Sequence, residues 1–503
     1  MYVIMKKKYR KDMVRPMKTY CNPLTITDLP EGRWLDAEQT RADLRSITDY
    51  RSVSDPSVVW HDGKWILYPS YAVAYVSEDF IHWKHADIGV PNLRYSPAVV
   101  QFRGKWYLNA HSRSELYVSD DPLGPFTVCG HITDCHGQIQ FPADGCFLAD
   151  GDHLYFYWHA SKPKTPADDV EYFTATAGVE MNPDRPWEML SEPVILHCFD
   201  PSAEWQRMGE YHQNARMGWI EGQWMKKIGS RYYLLYSGSG TEYSTYSNGI
   251  LYSDEGPLSG FRPQKRGPFT EKRTGLIRGA GHGCLTDGPD GTLWVFYTNT
   301  FNYNHMYERR ISMDPVGIDE NGELYCPATT EMPQFAPGVL QHPEQGNDAG
   351  WLPLTFMERP SATSAAPGRD ALYAFDESVL TWWQPAENDT SPTLTCRIGH
   401  ATRYHIRAVR LIWRDIGMEI LDGILPGPFR YVLEYAPDPS LQNWRMLVDA
   451  SENTEDLCID YREIEEDVRA YGIRLQILGA PDGITPGVVS LTAFGTSVSE
   501  VGN

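Results

Sequence analysis

A glycine turn followed by an aromatic strand recurs five times along the chain, and this repeat constrains the fold more than any other feature. Asp62-Gly63-Lys64-Trp65-Ile66-Leu67-Tyr68 returns as Arg103-Gly104-Lys105-Trp106-Tyr107-Leu108 and as Asp150-Gly151-Asp152-His153-Leu154-Tyr155-Phe156-Tyr157. It returns again as Gly229-Ser230-Arg231-Tyr232-Tyr233-Leu234-Leu235-Tyr236 and as Asp290-Gly291-Thr292-Leu293-Trp294-Val295-Phe296-Tyr297. Runs of β-branched and aromatic residues behind a glycine read as strands leaving tight turns. A further strand follows several copies and ends in Ser and an acidic turn, as in Tyr75-Val76-Ser77-Glu78-Asp79 and Leu251-Tyr252-Ser253-Asp254-Glu255. Four short strands per unit of about 40–45 residues is the pattern of a β-propeller blade. Five copies predict an all-β fold with a five-bladed propeller over residues 21–325, carrying insertions in the third and fourth units.

The rest of the chain reads differently. Residues 1–20 form a basic N-terminal extension without the apolar stretch of a secretory signal. No run approaches the roughly 18 apolar residues of a membrane span. Pro327, Pro333, Pro337 and Pro343 mark a linker over 326–350. Beyond it, strands such as Ala408-Val409-Arg410-Leu411-Ile412-Trp413 predict a β-sandwich (jelly-roll) domain over 351–503. Nine cysteines with no CxxC spacing read as free thiols in a reducing compartment, so a cytoplasmic protein is expected. With 45 Lys and Arg against 66 Asp and Glu, the net charge is −21, which argues against a nucleic-acid partner.

A propeller places equivalent blade positions in a ring about its axis. Seven to nine residues before each repeat glycine stand Asp55, Pro97, Asp144, Glu221 and His282. The innermost strands are mostly apolar, so three carboxylates and a histidine converging there need partners or a substrate. Crowded carboxylates raise the pKa of at least one member, which leaves one acid protonated and another ionised. That is the equipment of glycoside hydrolysis, which needs no cofactor for its chemistry.

On these motifs residues 21–325 resemble glycoside hydrolase family 43, the five-bladed arabinofuranosidase and xylosidase group. The resemblance makes Asp55, in Asp55-Pro56-Ser57-Val58, the general base; Asp144 the residue that tunes and orients the acid; and Glu221, in Glu221-Gly222-Gln223-Trp224, the general acid. It also makes His282, in Gly281-His282-Gly283, similar to an axial histidine that helps hold a structural calcium ion. Trp224, Tyr243, Arg309 and Arg310 are candidate substrate-binding residues; Trp219 and Tyr246 also flank the acid. Related retaining propellers that cleave fructans carry an Arg-Asp-Pro run and a Glu-Cys acid, which are missing here, so inversion is expected. The resemblance implies an exo-acting enzyme that releases arabinofuranose or xylose from plant-type oligosaccharides. The alternatives are another furanosidase, such as a β-D-galactofuranosidase, and a non-catalytic sugar-binding propeller.

Residues 358–495 resemble a discoidin, or coagulation factor 5/8 type C, domain. The matching pieces include Glu358-Arg359-Pro360-Ser361, Thr381-Trp382-Trp383, Asn443-Trp444-Arg445 and Gly472-Ile473-Arg474-Leu475. Such domains often bind carbohydrate, but with no surface aromatic cluster legible, Trp382 and Trp383 are read as packing residues of a buttress.

Overall fold

The computed structural model describes residues 18–498 apart from 30–50, 91–92, 162–173, 290, 302, 304, 400–401 and 420–422. Most of the basic extension therefore lies outside the described residues. The first blade is a four-stranded antiparallel sheet of Ser57–His61, Lys64–Tyr68, Val73–Ser77 and Lys84–Asp87. Four more sheets repeat the plan, with innermost strands Ala98–Phe102, Ala143–Asp150, Glu221–Ile228 and Gly281–Asp287. The third blade takes a fifth strand, Val194–Cys198, on its insertion. The five innermost strands touch one another in a closed ring, the fifth returning to the first. Apolar clusters fill the gaps between blades; one joins Leu67, Trp65 and Phe80 of the first blade to Trp294 and Phe296 of the fifth. The repeat's aromatic residues thus form the cement between adjacent sheets.

The N-terminal and linker segments clasp the last blade. Thr19–Tyr20 pairs with Gln334–Phe335, and Asn22 donates to the Met313 carbonyl at 2.9 Å while Gln334 donates to Asp314 at 2.6 Å. The C-terminal unit holds a four-stranded and a five-stranded antiparallel sheet. Both contribute to one core around Trp383, Trp413, Phe429 and Leu475. Trp383 is fully buried and donates to the Ser364 carbonyl, whereas Trp382 lies between the guanidinium groups of Arg369 and Arg414. Both tryptophans are occupied by packing.

Candidate active site

A residue at or just ahead of the start of each inner strand has an unusual backbone. Asp55, Ser96, Asp144, Gly222 and His282 have φ of 52°, 50°, 49°, 62° and 40°, a left-handed region that residues other than glycine seldom enter. In the last three of these strands the pairing register shifts beside that residue, between Ala143 and Cys146, Glu221 and Trp224, and Gly281 and Gly283. Such bulges re-aim a side chain. The ring expected from the sequence is thus present with two changes. Ser96 stands in the place expected of Pro97, and Gly222 takes the left-handed position so that Glu221 sits one residue earlier. A Cβ on Gly222 would lie 2.8 Å from Ser237 Oγ and 3.0 Å from His282 Cγ, so this position has room only for glycine.

Asp55, Asp144, Glu221 and His282 all line one cavity of about 350 Å³ at the axis. Asp55 is buried and held on every side. Arg309 binds it with both terminal nitrogens, at 2.9 Å to Oδ1 and 2.7 Å to Oδ2. Ser70 donates to Oδ2 at 2.5 Å, and His282 Nδ1 lies 3.3 Å from Oδ1. Asp144 meets His111 Nδ1 at 2.7 Å. Burial opposes charge on Asp144, but the charge and hydrogen bond of His111, helped by His282, hold its carboxyl well below the usual range. In return, Asp144 outweighs burial and raises the His111 pKa.

Glu221 is held from both oxygens: Trp219 Nε1 donates to Oε2 at 2.5 Å and Tyr246 donates to Oε1 at 2.6 Å. Burial and the negative charge of Asp144 push the Glu221 carboxyl well above the usual range, against the opposing pull of those two hydrogen bonds. The two carboxyl groups are close: one carboxyl oxygen each of Asp144 and Glu221 and a ring nitrogen of His159 lie within 4.8 Å of one another. Burial drives the His159 pKa down to about 4, so this neighbour adds no charge near neutral pH. The arrangement therefore combines an ionised Asp144, a protonated Glu221 and a clamped Asp55 around one small cavity.

The substrate-binding candidates divide. Arg309 lines the cavity, with its guanidinium turned to Asp55 and to Thr241. Arg310 does not, because adjacent strand residues face opposite ways. It is buried, donates to the carbonyls of Arg51 and Arg309, and covers the Phe301 ring. Trp224 also misses the site. It stands three residues along the strand from Glu221, donates to the Leu285 carbonyl, and lines a separate cavity with Trp60, Trp65 and Trp106. Tyr243 is in the right turn, yet Gly240, Thr241 and Glu242 of that turn are the residues that line the cavity. Glu242, His111 and Ser70 also belong to the site, and the sequence analysis does not single them out.

A signal for His111 and Ser70 existed. Each lies two residues beyond the second strand of its blade, and their amides make matching bonds, Ser70 to the Ser54 carbonyl and His111 to the Tyr95 carbonyl. Extending the repeat by one strand would have picked out both. At His282, Nε2 lies 3.0 Å from Ser96 Oγ and Nδ1 faces Asp55, so both ring nitrogens face protein groups. A calcium ion at this histidine would need one of those nitrogens released and water for most of its six to eight ligands.

Residues 55–324, more than half of the chain, match the family described as Glycosyl hydrolases family 43. The chain belongs to glycoside hydrolase family 43. The matched span begins at Asp55 and takes in all five blades and the whole cavity. Among solved structures, a thermostable family-43 glycoside hydrolase is 22% identical with a TM-score of 0.50, covering 63% of this chain and 99% of its own. That likeness shows a shared fold. An α-L-arabinofuranosidase from Lactobacillus brevis is 20% identical over 54% of this chain and 93% of its own, with a TM-score of 0.42. An endo-1,4-β-xylanase from Bacteroides thetaiotaomicron is 19% identical over 56% and 97%, with a TM-score of 0.45. No curated protein matches the chain. This family-43 member is thus a glycoside hydrolase with an all-β fold.

Proposed function

We propose that this enzyme is an inverting, exo-acting hydrolase that removes a terminal arabinofuranose or xylose from plant-type oligosaccharides. Asp55 is its general base, Glu221 its general acid and Asp144 the residue that tunes Glu221. The observation that carries the reading is the contrast between two carboxyl groups in one cavity: Asp144, held ionised by His111, keeps its neighbour Glu221 protonated. In this mechanism the terminal sugar fills the cavity with its glycosidic oxygen at Glu221. Glu221 gives its proton to that oxygen as the bond to the anomeric carbon breaks. Asp55, oriented by the Arg309 clamp, takes a proton from a water that attacks the opposite face of the sugar. Asp144 remains ionised throughout and eases reprotonation of Glu221. A cavity of about 350 Å³ lies at the small end of ligand pockets, about 300–1,000 Å³, and supports an exo rather than endo mode. All nine cysteines are free, which supports a cytoplasmic setting.

Glu221→Gln and Asp55→Asn are each expected to lower kcat/KM on an aryl α-L-arabinofuranoside or β-D-xyloside by about a hundredfold or more. Turnover unchanged in both variants would refute the assignment.

A further inference from the structure

A second cavity, of about 430 Å³, opens beside the catalytic one. The chain shows how near the two are. Met208 and Glu242 line the catalytic cavity, and Glu210 and Ser244, two residues further along each segment, line the second. Two residues of extended chain span about 7 Å at most. Glu210 Oε2 accepts from the Ser244 amide at 3.0 Å and from its hydroxyl, tying the two segments together. The opposite wall comes from the C-terminal unit, through Ser378 and Leu380.

The key group in this cavity is Arg278. Its side chain is only 13% exposed, and the one carboxylate paired with it among the described residues, Glu210 through Oε1, lies at 3.6 Å, beyond hydrogen-bonding distance. A guanidinium has five N–H donors, and a group taken this far out of water ordinarily has partners. Here Arg278 lines the cavity with an acceptor, Glu210 Oε1, beside one of its terminal nitrogens. A donor and an acceptor a few ångströms apart are what neighbouring hydroxyls of a sugar satisfy, since each hydroxyl both donates and accepts. At the rim Tyr211 is 83% exposed, and Leu380 is also exposed. They offer apolar surface to the C–H face of a sugar ring.

The wall from the C-terminal unit is fixed. The Val379 amide donates to the Gly275 carbonyl at 3.2 Å. Val379 also shares one apolar cluster with Leu276 and Phe301 of the propeller and with Ile412, Ile459 and Val489 of its own unit. Ser378 and Leu380 are therefore held at the cavity edge.

We propose that this second cavity is a subsite for the leaving-group side of the substrate, a neutral saccharide, and that the C-terminal unit completes the substrate groove. The proposal rests on the glycosidase reading above. A saccharide whose terminal sugar sits in the catalytic cavity would extend across Met208 and Glu242 toward Tyr211, place vicinal hydroxyls on Arg278 and Glu210, and lie against Leu380.

The test compares short arabino- and xylo-oligosaccharides with the matching aryl glycosides, whose leaving group has no hydroxyls for Arg278. Arg278→Ala, Tyr211→Ala and Leu380→Ala are each measured, with thermal melting to show that they fold; the last two replace exposed side chains. The ratio of kcat/KM on the oligosaccharide to kcat/KM on the aryl glycoside is expected to fall about tenfold or more in Arg278→Ala, as hydrogen bonds to a charged group are lost. A several-fold fall is expected in each of the other two. A ratio unchanged in all three variants, whether both activities persist or both drop together, would overturn the subsite. Wild-type protein inert toward every aryl glycoside and oligosaccharide would instead overturn the glycosidase reading, and the subsite with it.

Discussion

The charges of single residues set the working pH. In the proposed mechanism Glu221 acts while protonated, so activity should be lost as pH rises through its pKa, which burial and Asp144 place well above the ordinary carboxylate range. Two variants should move this alkaline limb in opposite directions. Asp144→Asn removes the neighbouring negative charge, lowers the Glu221 pKa and shifts the limb down by about one pH unit or more. Tyr246→Phe removes a hydrogen bond that favours the charged carboxylate, so the Glu221 pKa rises and the limb shifts up. The pH dependence of kcat/KM reads these shifts in the free enzyme. A limb that moves the same way in both variants would contradict the electrostatic account. The sequence carried the three carboxylates, because they recur at one blade position. It did not carry the reason they differ. That reason is His111, a residue of the second blade that acts on the third.

At the scale of the element, the start of each inner strand decides where the side chains go. A left-handed residue, accompanied by a bulge at Asp144 and His282, turns Asp55, Asp144 and His282 into the cavity at a local cost of order 1–3 kcal/mol for such backbone strain. In the fourth blade Gly222 takes that backbone position and leaves Glu221 free to reach the axis. Gly222→Ala is expected to destabilise the fold by about 1–2 kcal/mol, since its Cβ meets Ser237 and His282. It should also lower kcat by tenfold or more, because small displacements of a catalytic group are costly. Denaturant unfolding and steady-state kinetics check the two effects, and a fully active, equally stable variant would contradict the role given to this turn. The same bulges explain what spacing alone misplaced. A register shift beyond Glu221 sends Trp224 toward the other cavity, and strand alternation sends Arg310 into the interior while Arg309 meets Asp55. Counting from a glycine located each blade but not the one-residue offset that put Ser96 in place of Pro97.

At the scale of the whole molecule, the propeller and the C-terminal unit are joined by buried charge as well as by apolar contact. Arg51, four residues before Asp55, is fully buried, with its Nε 2.9 Å from Asp415 and a terminal nitrogen on Asp456. Arg51→Ala would leave a buried carboxylate, Asp415, and a partly buried one, Asp456, without their counter-charge. The expected loss is about 3–5 kcal/mol of unfolding free energy, read from the shift of the guanidinium denaturation curve. An unchanged midpoint would show that the two units do not depend on this junction. The five blades were legible because a propeller repeats its sequence with its geometry. The junction was not, since Arg51 and Asp456 are separated by some four hundred residues that no local pattern links.

The central claim is that Asp55 and Glu221 act across a single bond through water. It is tested most directly by proton NMR of the sugar first released from an aryl α-L-arabinofuranoside or β-D-xyloside, recorded before the anomers equilibrate. Direct attack by water predicts that the first-formed anomer has the configuration opposite to that of the substrate. First release of the anomer with the substrate's own configuration would mean a covalent sugar intermediate and would contradict the account.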